Sequence, residues 1–255
     1  MKHSSIAILC MGVMLASFTP SLAEVCGDAN ADSSVNLADA VYVINFVFKG
    51  GPAPVCDGLV DIDGNKYRTV TIGTQVWMAE NLKVTHYRNG DPIPNVTEAT
   101  EWGSLTTGAY CSYNNNDANV ATYGRLYNWY AVVDPRNIAP EGWHVPTDAE
   151  WQTLIDYLGG EAVAGGKMKE TGLTHWQSPN TGATNESGFT GLPAGYRIYT
   201  SADFADMGWT TDMWSSTEAD SDYAWYRYLH HSDAGAGRSS NAPKIDGFAV
   251  RCVKD

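Results

Sequence analysis

The apolar positions of this chain change rhythm along its length, and the clearest rhythm is helical. Trp151, Leu154, Ile155 and Leu158 fall at i, i+3, i+4 and i+7, which places them in one stripe of an α-helix. Pro146 holds the preceding residue extended. Thr147 is a good N-cap, and Glu150 completes a capping box by reaching back to the cap's own N–H. Asp148 and Glu150 sit where the helix dipole favours negative charge, and Gly159-Gly160 ends the run. The pattern predicts an amphipathic helix over 148–158 that must bury its stripe. A second helical spacing, Leu126, Trp129, Tyr130 and Val133, predicts a helix within 123–133. Elsewhere the rhythm is that of short strands and turns. Asp61-Ile62-Asp63-Gly64-Asn65 reads as the turn of a hairpin reaching Gln75, with 66–72 as its β-rich strand. Residues 89–119, rich in Asn, Gly, Thr and Pro, read as loops. After Gly166 loops and short strands are expected at 188–199, 213–217, 223–230 and, as the closing strand, 247–253.

The first 23 residues have a different pattern. Lys2 precedes an apolar run from Ile6 to about Phe18, followed by Ser21-Leu22-Ala23, a small-x-small cleavage site. The run is short for a bilayer, and no other stretch approaches the ~20 apolar residues that a span needs. A secreted, extracellular or cell-surface protein with no membrane span is expected. Net charge is −13, which argues against nucleic acid and acidic membrane surfaces as partners. Nine Trp and fourteen Tyr with only 18% charged residues suit a turn-rich β domain cored by large rings. Of the 5 cysteines, Cys10 lies in the export signal. Cys26, Cys56, Cys111 and Cys252 remain, an even set in an exported chain, so disulfides are expected. Sequence distance favours Cys26–Cys56 and Cys111–Cys252 among the three possible pairings.

A metal loop comes after the signal. Asp28, Asn30, Asp32, Asn36 and Asp39 stand at positions 1, 3, 5, 9 and 12 of a twelve-residue stretch, with Ser34 at position 7 offering its carbonyl. That alternation converges hard oxygen ligands on one point, and Ca²⁺ is the expected ion. With the subsequent Ala-Val-Tyr-Val-Ile-Asn-Phe-Val-Phe, the segment resembles a dockerin repeat, the calcium loop and helix that joins enzymes and surface proteins to cohesin partners. Two departures stand out: Ser33 where Gly is expected, and one repeat where dockerins carry two. Residues 24–58 are read as a dockerin-like half-module.

Residues 59–255 carry a second set of motifs: Ile-Gly-Thr-Gln-Val-Trp-Met-Ala-Glu-Asn-Leu at 72–82, Tyr-Gly-Arg-Leu-Tyr-Asn-Trp at 123–129, Gly-Trp-His-Val-Pro-Thr-Asp-Ala-Glu-Trp at 142–151, Gly-Phe-Thr-Gly-Leu-Pro-Ala-Gly-Tyr-Arg at 188–197, Trp-Ser-Ser-Thr-Glu at 214–218 and Gly-Phe-Ala-Val-Arg-Cys at 247–252. Together they resemble the Fibrobacter succinogenes major paralogous domain. The Gly-Trp-x-x-Pro-Thr-x-x-Glu-Trp start of the helix also resembles that of the formylglycine-generating enzyme and of the C-type-lectin-like fold. The resemblance implies an α+β domain of short twisted antiparallel sheets, two helices and long loops. It implies no reaction. The family usually carries a cysteine just before Gly-Trp-His, where this chain has Ala139.

Chemistry is sparse. A copper-dependent oxidase needs a close cysteine pair, which Cys111 and Cys252 do not form in sequence. The calcium-lectin tripeptides Glu-Pro-Asn and Gln-Pro-Asp are missing. His144, beside Trp143, reads as a structural hydrogen-bonding residue, and the adjacent His230 and His231 should face opposite sides of a strand. No carboxylate pair among the 29 acids is singled out for hydrolysis. Trp102, Trp176, Trp209 and Trp225 lie in loops or irregular stretches and are the candidates for stacking on sugars. The expectation is a non-catalytic exported binding or assembly protein, stabilised by calcium. Its targets would be polysaccharide or a surface protein, a cohesin-like one among the candidates. The alternatives are a subunit of an extracellular filament or homo-oligomer joined through its N-terminal segment, and an uncharacterised polysaccharide-active enzyme.

Overall fold

The structure is a computed structural model that describes residues 59–255. The chain divides into two units, Met1–Asp57 and Gly58–Asp255, and the described residues all belong to the second. The export signal, the calcium-loop residues Asp28, Asn30, Asp32, Ser34, Asn36 and Asp39, and the pair Cys26 and Cys56 lie outside the described residues.

The architecture is mixed α/β, with short antiparallel sheets and few helices, as the resemblance implied. The Asp61 turn forms as expected. Its Oδ1 accepts from the main-chain N–H of Asp63 and Asn65, which fixes the reversal between β1 (Leu59–Val60) and β2 (Lys66–Tyr67). The strand expected over 66–72 is broken at Arg68, and β3 (Thr69–Ile72) makes a separate hairpin with β4 (Gln75–Met78). That hairpin heads a four-stranded sheet of order β3-β4-β13-β7, where β7 is Trp143–His144 and β13 is Val253–Lys254. The last strand thus slots between two early ones. Most of the expected closing strand, 247–252, runs extended with only isolated bridges, such as Phe248 to Tyr127 and Ala249 to Met213.

The capped helix forms over Asp148–Tyr157, with both halves of the capping box in place. It is α4, after three single-turn helices: α1 (Ala99–Trp102), α2 (Val120–Tyr123) and α3 (Trp129–Val132). Trp151, Leu154, Ile155 and Leu158 are buried. The Trp151 ring meets Trp77 at 4.6 Å and Phe189 at 6.0 Å. The helix expected within 123–133 is cut short. Leu126–Tyr127 forms strand β6, paired with β5 (Tyr110–Cys111), and Asn128 caps α3 by accepting from Ala131 N–H. A helix not expected from the sequence, α5 (Glu161–Met168), contains Gly165 and Gly166. A Cβ at either would collide with main chain, of Gly235 and Gly182 respectively. These glycines weaken the helix locally but let it lie against the loops it packs on.

The largest sheet has the order β10 (Thr210–Glu218), β11 (Tyr223–His230), β12 (Ala236–Pro243). A small hairpin, β8 (Tyr196–Arg197) with β9 (Phe204–Ala205), precedes it. One face of the large sheet supplies Met213, Leu229 and Ala236 to the core shared with α4. The loops between these elements are tied down by buried cations. Lys169 Nζ donates to the carbonyls of Thr181, His230 and Asp233 at 3.0, 2.9 and 2.7 Å. Lys244 donates to Asp220 and Ser221 carbonyls and to Glu218. Arg197 serves Val96, Thr97 and Ala202, and Arg251 serves Asn81, Phe189 and Thr190. A fold made largely of loops leaves many carbonyls without a ladder partner, and a multivalent donor satisfies three at once.

Candidate functional site

The three-stranded sheet has a second face. Cross-strand register aligns Thr210 with His230, Asp212 with Tyr228 and Gly237, and Trp214 with Tyr226 and Ser239. Side chains directly opposite share a face, so this face carries Asp212, Tyr226 and Tyr228. Its lower part is covered where Phe248 stacks on Trp214 at 4.3 Å and meets Tyr226 at 5.1 Å. Its upper part is open. Tyr228 is 37% exposed and lies across Gly237, where any Cβ would strike its ring. The glycine is what seats that ring flat. Tyr226 and Tyr228 stand 5.8 Å apart. Tyr196, at the edge, meets Phe248 edge-on at 6.0 Å.

Two carboxyls in this region are buried, Asp212 and Asp246, each 8% exposed. Burial raises Asp212 to about 7, opposed by a hydrogen bond from Thr210 and reinforced by the charges of Asp246 and Asp206. Burial likewise raises Asp246 to about 7, opposed by the Tyr199 N–H. Burial also pushes the Tyr226 and Tyr196 phenols up to about 12, with Asp212 and Asp206 respectively the next contributors. Removing a charged carboxylate from water is costly without a partner, and no cation pairs with either acid among the described residues. Adjoining this region, a groove of about 420 Å³ is lined by Tyr228, His230, Glu161, Asp233, Gly235, Ala236 and Gly237. The small residues of early β12 leave it open.

The sequence candidates separate here. Trp102 and Trp176 are corrected: both are buried, Trp102 beneath the Arg197 guanidinium and Trp176 donating to the Gly191 carbonyl, so neither offers a stacking face. Trp209 is 47% exposed, its ring edge-on to His231. Trp225 is half-buried and has the Arg238 guanidinium over its ring at 3.8 Å. Cys111 and Cys252 are also corrected. Both are free, buried thiols in different packed clusters, Cys111 beside Trp102 and Leu126, Cys252 with Ala139 and Trp143. Burial raises both thiols, Cys111 to about 12. His230 and His231 do not face opposite ways. The strand ends at His230, the chain turns, and the rings come to 4.5 Å. No group of three His, Cys, Asp or Glu among the described residues converges as a metal site.

His144 behaves as a structural residue. Its two ring nitrogens lie 2.7 Å from Asp255 and 2.8 Å from Glu150. Burial opposes its charge, but the hydrogen bonds to Asp255 and Glu150 raise its pKa above the ordinary histidine value. The residues that sequence reading missed are the tyrosines and Asp212 and Asp246. Alternation along Tyr223–His230 is the only signal that hinted at the tyrosines.

A loop-rich α/β domain with an open aromatic and acidic sheet face is thus the class that the geometry defines. The chain belongs to the Fibrobacter succinogenes major domain family, whose profile matches residues 70–254. No curated protein and no solved structure matches it. No helix among the described residues is long and apolar enough to cross a membrane.

Proposed function

We propose that this protein is an exported, non-catalytic binding module with a C-type-lectin-like fold, and that the Tyr196–Tyr226–Tyr228 face takes a polyhydroxylated ligand, a polysaccharide segment. The observation that carries the reading is the seating of Tyr228 over Gly237 beside Asp212. Sugar rings stack on flat aromatic faces through their C–H surfaces. Their hydroxyls donate to carboxylates, whose oxygens accept only. The N-terminal loop, through Asp28, Asn30, Asp32, Ser34, Asn36 and Asp39, would hold Ca²⁺ and stiffen the half-module that tethers the domain to a surface partner.

The test is a screen of soluble polysaccharides and a glycan array. Binding that disappears in Tyr228→Ala while the melting curve holds supports the reading. No hit, or a hit unaffected by Tyr228→Ala, sinks it, as does turnover of a bound polymer. For the calcium loop, Asp28→Ala with Asp32→Ala should abolish a calcium-dependent rise in melting temperature; an unchanged response refutes the site.

A second reading, assembly into multimers, is favoured by β12. It is the outer strand of its sheet, and, among the described residues, 236–242 make no main-chain hydrogen bond outside their ladder with β11. Such an edge accepts another strand. Ordered filaments in electron micrographs, lost on placing Pro at Ser240, would support it.

A further inference from the structure

The geometry points to a ligand carrying fixed positive charge: within the polysaccharide class proposed above, on which this inference rests, the face selects glycans whose hexosamines bear ammonium rather than N-acetyl groups.

The first ground is an imbalance of charge. Elsewhere in the domain, several carboxylates face cations, and buried Asp61, which does not, is satisfied instead by Tyr67 and the Asn65 amide and main-chain N–H groups. Asp148 faces Arg238 and Arg227, Glu80 faces Arg68, and Asp134 faces Arg136. Asp212 and Asp246 do not, although both are buried. The basic groups of the neighbourhood are committed to other oxygens: Lys169 and Arg197 to main-chain carbonyls, Lys244 to Glu218 and two carbonyls. Asp212 is over nine-tenths buried, its Oδ1 receives one long bond of 3.3 Å from Thr210, and Oδ2 has no hydrogen-bond partner among the described residues. Its side chain shares the sheet face with Tyr228, directly opposite it in register.

The second ground is the company of rings. Tyr228 stands opposite Asp212, and Tyr196 and Tyr226 lie within reach of the charges of both carboxyls; phenol faces attract cations through their quadrupole. Aromatic rings beside uncompensated carboxylates suit an organic ammonium, whose charge is spread over a large radius. They do not suit a compact metal ion, which needs three or more ligating atoms at one point, and no such group occurs among the described residues. The groove next to Tyr228 extends the same chemistry, with Glu161 and Asp233 on its walls and His230 as its one basic side chain.

An ammonium group bound here would supply the cation that Asp212 and Asp246 lack. An N-acetyl group cannot do this. It brings a neutral amide and leaves the acids as they are.

The test uses three tetramers of one chitin-type backbone: N-acetylated, free amine and N,N,N-trimethylated, the last charged at every pH. Calorimetry on the full chain at about pH 8 reads their affinities. The expectation is that the trimethylated tetramer binds about ten-fold or more tighter than the N-acetylated one. Asp212→Asn and Asp246→Asn, made separately in case one fails to fold, should each bring that ratio toward one. Glu141→Gln, an exposed acid remote in sequence from the face, should leave it unchanged, which separates the face from the general attraction of a −13 chain. Equal affinity of the N-acetylated and trimethylated tetramers overturns the ammonium preference and leaves glycan binding standing. A ratio that Glu141→Gln reduces as much as Asp212→Asn also overturns it. Binding of none of the three, together with an empty glycan array, removes both.

Discussion

The two faces of the β10–β11–β12 sheet bury charge in opposite ways. On the helix side, Arg227 is 1% exposed but has Gln152 at 2.7 Å, Glu161 at 3.2 Å and Asp148 at 3.5 Å. On the other side, Asp212 is buried with no cation paired to it among the described residues. The first arrangement offsets desolvation with partners already in the fold. The second leaves the cost standing, which a stable scaffold tolerates only where something else uses it. One face meets its buried charge with partners inside the fold; the other, under the proposal above, meets it with a ligand.

The largest expected effect lies on the finished face. Trp151→Ala removes a ring packed on Trp77 and Phe189 and should cost about 3–5 kcal/mol in urea unfolding. A cost below about 1 kcal/mol would mean that α4 is not anchored as described. Lys169→Met, which keeps the stem but strips three carbonyls of their donor, should cost about 2–4 kcal/mol. The open face should respond with the opposite sign. Asp212 holds its proton to about 7 in the folded chain and to 3.8 in the unfolded one. The folded state therefore binds more protons between these values, and stability falls as pH rises through them. Asp212→Asn should raise the melting temperature by about 2–4 °C at pH 8 and change little at pH 4. A loss at pH 8 would show that this acid supports the fold, and the contrast between the faces would fail.

Smaller effects test the start of α4. Thr147→Ala removes the cap and should cost about 1 kcal/mol. His144 has its folded pKa raised above 6.5. Its contribution is present in full below that value and is lost as pH climbs through the folded pKa. His144→Gln should flatten the melting profile above about pH 6.5; an unchanged slope would show that its contacts to Glu150 and Asp255 add nothing.

Much of the scaffold is legible in the sequence because its signals are local. The capping box at Thr147 and Glu150, the stripe from Trp151 to Leu158, the Asp61 turn and the strand over Tyr223–His230 each rest on neighbours within a few residues. What was missed depends on distant partners. Helix α5 contains two glycines and reads poorly as a helix, yet those glycines are required by the backbones of Gly182 and Gly235. Strand β12, Ala-Gly-Arg-Ser-Ser-Asn-Ala-Pro, has weak β character and exists because β11 lies beside it. The helix expected through Leu126 yields to pairing with Cys111. Trp102 and Trp176 sit in stretches that look like surface loop and are buried because Arg197 and Gly191 close over them.

The family, the capped helix and the Asp61 turn could be read from the residues in order, since caps, turns and periodicity act over one or two turns of chain. Which aromatics remain open, which thiols stay apart and which acids go unpaired emerged only once the chain was folded. Exposure and charge compensation depend on what packs above a side chain, and in this domain that is most often a loop from far along the chain.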